Sequence, residues 1–209
     1  GTHRDVRLAD ALTRSLAELP AAEGPDGAPA RIGMYFCGPT VYARIHVGNA
    51  RPFVISMWLR SWLRERGYDA RLVINITDVN DKIYDAAPGD SARLAAEASQ
   101  WYVDDTSLLG LGRPDEEPKA TETVPEIVAL IGDLIERDMA YQAGGDVYFR
   151  VGRFPGYGCL SGQRPDEVAD LEPNPLKQDA RDFALWKATK PGEDTTWDSP
   201  WGPGRPGWH

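Results

Sequence analysis

Arg31-Ile-Gly-Met-Tyr-Phe-Cys37 is an apolar and aromatic run that stops at a turn signal, Cys37-Gly-Pro-Thr40. A run of this kind suits a buried strand. From about Gly48 to Arg66 the apolar residues Phe53, Ile55, Met57, Trp58, Leu59, Trp62 and Leu63 return at helical spacing, and Gly67 is placed to cap the carboxyl end. Arg71-Leu-Val-Ile-Asn75 is a second apolar strand. Strand, helix and strand within about 45 residues form the βαβ pattern of a parallel, nucleotide-binding sheet. The expected fold class is α/β.

On the amino-terminal side, Val6 to Leu19 reads as a short helical stretch, and the Gly/Pro/Ala-rich run from Ala21 to Ala30 as an exposed connection. On the carboxyl side, Ser91–Leu109 and Val124–Arg137 carry helical patterns, separated by the break Gly112-Arg-Pro-Asp-Glu-Glu-Pro118. Ile127, Val128, Ile131, Leu134 and Ile135 give the second of these an apolar face at i, i+3, i+4 spacing. After Gly144-Gly145, the run Asp146 to Val151 reads as a strand. A loop-rich stretch to Ala180 precedes Phe183-Ala-Leu-Trp-Lys187, and the Trp/Pro/Gly-dense tail from Thr195 to His209 is expected to hold little regular structure.

Composition narrows the function. No segment approaches about 18 consecutive apolar residues, so no membrane partner is expected. The start, Gly1-Thr-His-Arg4, has no signal core and no initiating methionine, which points to a trimmed chain. Only Cys37 and Cys159 are present, too few for a disulfide scaffold, and a reducing cytoplasm is the natural compartment. With 23 basic and 32 acidic side chains, net charge −9, the chain is a poor general binder of nucleic acid, and no DNA partner is expected.

The chemistry concentrates in Cys37 to Pro52. A strand ends in a turn, and the following helix opens on His46-Val-Gly48-Asn49. Helix amino termini present free N–H groups and partial positive charge, and so hold phosphates. Gly48 permits close backbone approach, while His46 and Asn49 have donors for phosphate oxygens on which charge develops. A histidine before a helix reads equally well as a surface or capping residue. Cys37, taken alone, reads more simply as a small thiol at a strand end.

His46-Val-Gly-Asn49 stands where class I aminoacyl-tRNA synthetases carry His-Ile-Gly-His, and the surroundings resemble the cysteinyl-tRNA synthetase family block by block. Met34 to Tyr42 is similar to its first strand and turn, Asn75-Ile-Thr-Asp-Val-Asn-Asp-Lys-Ile83 to its second-strand motif, and Arg113-Pro-Asp with Lys119-Ala-Thr-Glu122 to its middle segment. Gly145 to Phe149, Asp182 to Lys187, Trp197 to Gly202 and Gly204 to His209 complete the series. The resemblance implies the first half of a Rossmann-like parallel sheet with an inserted connective α+β segment. Its parts would be an amino-terminal segment 1–30, the half-domain 31–110, the insertion 111–180, and a truncated return at 181–209.

The family's roles fall on matching positions. Cys37 is similar to the first of four ligands of one Zn²⁺ that binds the substrate thiolate and lets serine be rejected without editing. Gly38, Thr77 and Trp208 stand where the family meets substrate cysteine. Gly38, Thr40, His46, Gly48 and Asn49 stand where it meets ATP, used with Mg²⁺, and His46 and Asn49 are the catalytic candidates. The reaction implied is formation of cysteinyl-adenylate from cysteine and ATP, then acyl transfer to tRNA(Cys). Cys159 is taken as a structural thiol, and Asn80 replaces a common acid. Glu116-Glu117 and Asp104-Asp105 read as solvated faces, and most of the tryptophans as core or pocket walls. The last residues fall inside a family motif, ahead of the other zinc ligands and the Lys-Met-Ser-Lys-Ser loop. The chain is therefore expected to be an amino-terminal fragment of the catalytic domain, inactive or severely impaired alone. The rival readings are the cysteine ligase of mycothiol synthesis and a truncated, non-catalytic paralogue serving as a binding module.

Overall fold

The computed structural model describes residues 6–24, 26–162, 164 and 174–207. Two compact units divide the chain: Gly1–Leu8 with Glu18–Glu122, and Ala9–Ala17 with Thr123–His209. Small parallel and antiparallel sheets with helices make a mixed α/β protein.

The chain opens with paired strands β1 (Arg7–Asp10) and β2 (Ser15–Glu18). The helix expected over Val6 to Leu19 does not form. Asp10 accepts from the N–H groups of Leu12 at 3.0 Å and Thr13 at 3.2 Å and from the Thr13 hydroxyl at 2.7 Å, and Arg14 takes φ 54°. This side-chain turn competes with helical hydrogen bonds and reverses the chain.

In the first unit β3 (Arg31–Phe36) pairs in parallel with β4 (Asp69–Ile74), in register from Arg31↔Asp69 to Phe36↔Ile74. Helix α1 (Val47–Glu65) forms the crossover, and Gly67, at φ 90°, ends it in the left-handed region. It buries Phe53, Ser56, Met57, Arg60 and Leu63, an i, i+3, i+4, i+7, i+10 stripe. That stripe shares one core with Met34, Leu72 and Ile74 of the strands. Fully burying one such side chain stabilises by about 1.5–3 kcal/mol. Short α2 (Asp81–Ala86) follows, and its cap Asn80 accepts from the Lys82 N–H at 3.1 Å. An amide and a carboxylate cap equally well, which gives the Asn80 departure a structural reason. Then comes α3 (Ser91–Ser107), whose Ala98 and Tyr102 complete the core.

The expected break at Gly112 to Pro118 contains a third rung of the sheet. Ile74 N–H donates to Glu116 O at 3.0 Å and Ile76 N–H to Pro118 O at 2.9 Å, in parallel bridges. Pro114 and Pro118 lack N–H groups, so the rung never becomes a continuous strand and has no strand pattern to read. The Asp115 carboxylate stands in for a backbone acceptor, taking the Leu72 N–H at 2.7 Å, and Arg60 and Arg64 pair with it. Glu117 and Asp105 are not solvated faces either: they pair with Arg113 and Arg44, with side chains 18% and 19% exposed. Trp58 and Trp62 depart from the core role expected of most tryptophans and are exposed.

The second unit packs α4 (Val124–Glu136) with an antiparallel sheet of β5 (Ala140–Ala143), β6 (Asp146–Phe149), β7 (Phe183–Ala188) and β8 (Gly204–Pro206), in that order. The tail is thus more regular than its composition implies. Trp197 and Gly204 exchange backbone hydrogen bonds of 2.8 and 2.9 Å, and a Cβ at Gly204 would lie 2.4 Å from the buried Trp186 Nε1. Glycine is required there by the tryptophan beneath, so a strand wears the composition of a loop. Several polar groups buried in this unit pair with one another, while Trp186 Nε1 and Arg150 Nε are buried without a hydrogen-bond partner among the described residues. Tyr141 donates to Asp182 at 2.8 Å, Tyr148 to Asp146 at 2.6 Å, and Arg205 to Glu193 at 2.9 and 3.1 Å.

Candidate active site

The ends of β3 and β4 are drawn together by one side chain. Asn75 Oδ1 accepts from the Gly38 N–H and the Tyr35 hydroxyl, both at 3.0 Å, and Asn75 Nδ2 donates to Thr77 Oγ1 at 3.1 Å. Backbone bonds continue the junction: Thr77 N–H to Pro39 O at 3.1 Å, and Val41 N–H to Thr77 O at 3.0 Å. Gly38 sits so close that a Cβ would fall 1.6 Å from Asn75 O. No other residue type fits. Above this junction opens a cleft of about 100 Å³ whose lining includes Cys37, Gly38, Gly48, Asn49, Phe53 and Tyr102.

His46 is the N-cap of α1, and capping is reciprocal. Gly48 N–H donates to His46 Nδ1 at 3.0 Å, and His46 N–H to Asn49 Oδ1 at 3.3 Å. Both bonds engage acceptors of the two side chains. With Nδ1 occupied, a neutral imidazole carries its proton on Nε2, and the Asn49 Nδ2 group keeps two donors. Capping therefore leaves these two side chains only N–H groups to offer, beside a helix amino terminus with no acidic residue in its first turn. A phosphate oxygen is the complement of such a site. A Cβ on Gly48 would meet His46 Cε1 at 2.6 Å, so the glycine is fixed by the ring folded over it. Pro52, inside the helix, has no N–H for the Gly48 carbonyl and leaves that acceptor without its regular partner.

The aromatic wall is held from behind. Phe53 and Tyr102 meet edge to face at 6.2 Å, and the Arg113 guanidinium lies over both rings at 5.5 and 5.8 Å while paired with Glu117. Burial, reinforced by the Glu117 charge and offset by Arg113, pushes the Tyr102 phenol up to about 12. The loop leading to His46 is tied at Arg44, which pairs with Asp105 at 2.5 Å and lies over the Trp101 ring at 5.8 Å. Asp78 accepts from the Thr121 N–H at 3.0 Å and hydroxyl at 2.6 Å, which joins the second-strand motif to the middle segment.

Of the residues singled out in the sequence, Cys37, Gly38, Gly48 and Asn49 line one cleft, and His46 caps the helix at its rim. Thr40 and Thr77 are bridged to one another beneath it, and Thr77 is 1% exposed, with its hydroxyl turned to Asn75. Trp208 lies outside the described residues. Sequence reading missed Asn75, Phe53 and Tyr102 as site residues, although Asn75 opens a motif already marked and Phe53 lies one turn past Asn49. Cys37 is a free, exposed thiol. Among the described residues no group of three or more His, Cys, Asp or Glu side chains is arranged to hold a metal ion. These residues supply one donor and do not compose a zinc site.

Residues 25–209 match the model of the tRNA synthetases class I (C) catalytic domain. The chain belongs to that family. Curated relatives of this class I catalytic domain are named cysteine–tRNA ligase: 46% identical in Shouchella clausii and 46% in Rubrobacter xylanophilus, each over 98% of this chain. The protein of that name from an Anaeromyxobacter species is 48% identical, also over 98%. The chain spans 42–44% of the length of these three relatives. A weaker structural likeness, TM-score 0.45 at 14% identity, is to a putative arginyl tRNA synthetase from Campylobacter jejuni, covering 83% of this chain and 44% of that one. The class I domain match takes in every residue of the cleft. Among the described residues no helix is long and apolar enough to cross a membrane.

Proposed function

We propose that this chain carries the ATP- and cysteine-facing part of a cysteine–tRNA ligase. The observation that supports it most is the reciprocal cap of His46 and Asn49, which leaves only donors beside an open cleft, in a chain 46% identical to proteins of that name. ATP, with Mg²⁺, would lay its phosphates against the α1 terminus and the donors of His46 and Asn49, with Gly38, Thr40 and Gly48 forming the adjoining backbone wall. An oxygen of the cysteine carboxylate attacks the α-phosphorus, the bond to the β-phosphate oxygen breaks, and pyrophosphate leaves with its electron pair. A ribose hydroxyl at the 3′ end of tRNA(Cys) then attacks the acyl carbon of the cysteinyl-adenylate, the bond to the phosphate oxygen breaks, and AMP leaves. Fixed donors at the α-phosphate need no reorganisation as charge builds, and this is the rate contribution asked of His46 and Asn49.

Substrate cysteine would sit at the Cys37–Gly38 turn, with Thr77 and Trp208 contributing to its pocket. Cys37 would be one thiolate donor to the family's zinc; no step is assigned to that ion here, because the described residues give it no further ligands. The parallel pair is read as half of a Rossmann-like sheet, with 111–180 as a connective insertion and 181–209 as the return to the catalytic domain. Two free, exposed thiols fit a reducing cytoplasm.

Exchange of labelled pyrophosphate into ATP, driven by cysteine, tests the reading. The whole protein should exchange with cysteine and stay at background with serine. This 209-residue chain alone should remain at background. Exchange driven equally by serine would overturn the substrate assignment, and robust exchange by this chain alone would show that further metal donors are not needed.

A further inference from the structure

Asn75 is only 6% exposed, lies off the cleft, and plays no part in the chemistry above. Its amide has a single admissible orientation. The Gly38 N–H can only donate, so Oδ1 must face it, and the NH₂ group then faces Thr77, whose hydroxyl accepts. Three donor–acceptor pairs from three separate segments, β3, the turn after it and the chain after β4, thus close on one side chain. The turn has no slack against this clasp, since Gly38 already touches the Asn75 backbone where a Cβ would not fit. The other end of the cleft is built differently: the donors of His46 and Asn49 are set by the helix cap, which makes no hydrogen bond to Asn75.

We propose that Asn75 is a positioning residue for the cysteine end of the cleft, holding the Cys37–Gly38 turn through the Gly38 amide while leaving the His46 and Asn49 donors of the phosphate end untouched. The inference rests on the ligase reading for its substrate but not for its geometry. Removing the amide leaves the half-buried Gly38 N–H without its acceptor and the Tyr35 hydroxyl unanchored, so the turn that carries Cys37 gains freedom. Aspartate at the same place keeps both acceptor bonds, and the third is restored by reversal, with the Thr77 hydroxyl donating to the new carboxylate. Leucine matches the volume and keeps none of the three.

The test compares Asn75→Ala, Asn75→Leu and Asn75→Asp in the whole protein by pyrophosphate exchange, with thermal unfolding as the check on folding. Alanine and leucine should each raise KM for cysteine about tenfold or more, the worth of a hydrogen bond lost at a half-buried amide, and change KM for ATP, which meets Gly38 but takes its donors from the cap, by no more than about threefold. Aspartate should return KM for cysteine to within about threefold of the parent. Hydrogen exchange at the Gly38 amide, which needs no activity, should speed up in the alanine and leucine variants and not in the aspartate one. Equal changes in both KM values, or an aspartate variant as impaired as alanine with the Gly38 amide still protected, would overturn the proposal. Absence of cysteine-dependent exchange in the parent would instead remove the ligase reading, and the amide measurement would still decide the clasp.

Discussion

The two units put their polar groups to different uses. In the antiparallel unit, polar groups close on themselves: Arg205 and Glu193, with side chains 3% and 8% exposed, form an ion pair, and Glu193 also accepts the Lys190 N–H at 2.9 Å. Tyr141 and Tyr148 donate to carboxylates, and burial together with those partners pushes Tyr141 up to about 12 and Tyr148 higher still. In the parallel unit, the exposed groups of the α1 cap and of the turn beside the cleft are only half engaged. The cap binds acceptors of His46 and Asn49 and leaves donors, and Cys37 is exposed. Where hydrogen-bonding capacity is complete, the side chains stabilise; where it is left over at a cleft, they are available to a ligand. Parallel strands place that surplus well, because both carboxyl ends emerge at the same edge.

The largest expected effect breaks a closed set. Glu193→Ala takes from the buried Arg205 guanidinium the carboxylate that accepts two of its hydrogen bonds, and chemical denaturation should show a loss of about 3–5 kcal/mol. A loss under about 1 kcal/mol would mean that the pair is not closed in solution.

Asp115 sharpens the comparison from the other unit, as a structural carboxylate beside a functional cleft. Burial alone would raise its pKa, but the Leu72 amide and the Arg64 and Arg60 guanidiniums outweigh burial and hold it at about 2. A folded-state pKa below the unfolded value gives stability that is present above about pH 4 and is lost as pH falls through about 2. Asp115→Asn should therefore cost roughly 2 kcal/mol at neutral pH, a difference from the parent that shrinks as the pH is lowered toward 2. A difference that stays constant over that range would show that the carboxylate charge is not what matters.

The smallest effect belongs to pairs that neither close a core nor face the cleft. Arg93 bonds Asp90 and Glu97 at the start of α3, at 2.6 and 2.8 Å, but all three side chains are about half exposed. Arg93→Ala should change stability by less than about 0.5 kcal/mol, less still in high salt. A loss above about 1 kcal/mol would mean that exposed pairs contribute more here than closed geometry explains.

Much of the parallel unit was legible because its pattern is local: an apolar strand, a helix with apolar residues on one stripe, a glycine stop, and a second strand. Cys37, Gly38, Gly48 and Asn49 could be found because they follow one another along a single strand–turn–helix. Asn75 was harder to see. Its partners Tyr35 and Gly38 lie about 40 residues away in sequence, and only the register of the two strands brings them together. The same holds for Asp78 with Thr121. The amino-terminal strands and the carboxyl-terminal strand were misread for a different reason. An aspartate turn at Asp10 and a glycine forced by Trp186 overrode what composition favoured.

Asn49→Asp tests the central claim, that the cap and the phosphate donors are two sides of one arrangement. The carboxylate keeps the acceptor for the His46 N–H and adds a charge that suits a helix amino terminus, but removes both donors. Thermal stability should be unchanged or slightly raised, while cysteine-dependent pyrophosphate exchange by the whole protein falls about 100-fold or more. Retained exchange, or an activity loss matched by a loss of stability, would contradict the account and reduce His46 and Asn49 to helix caps alone.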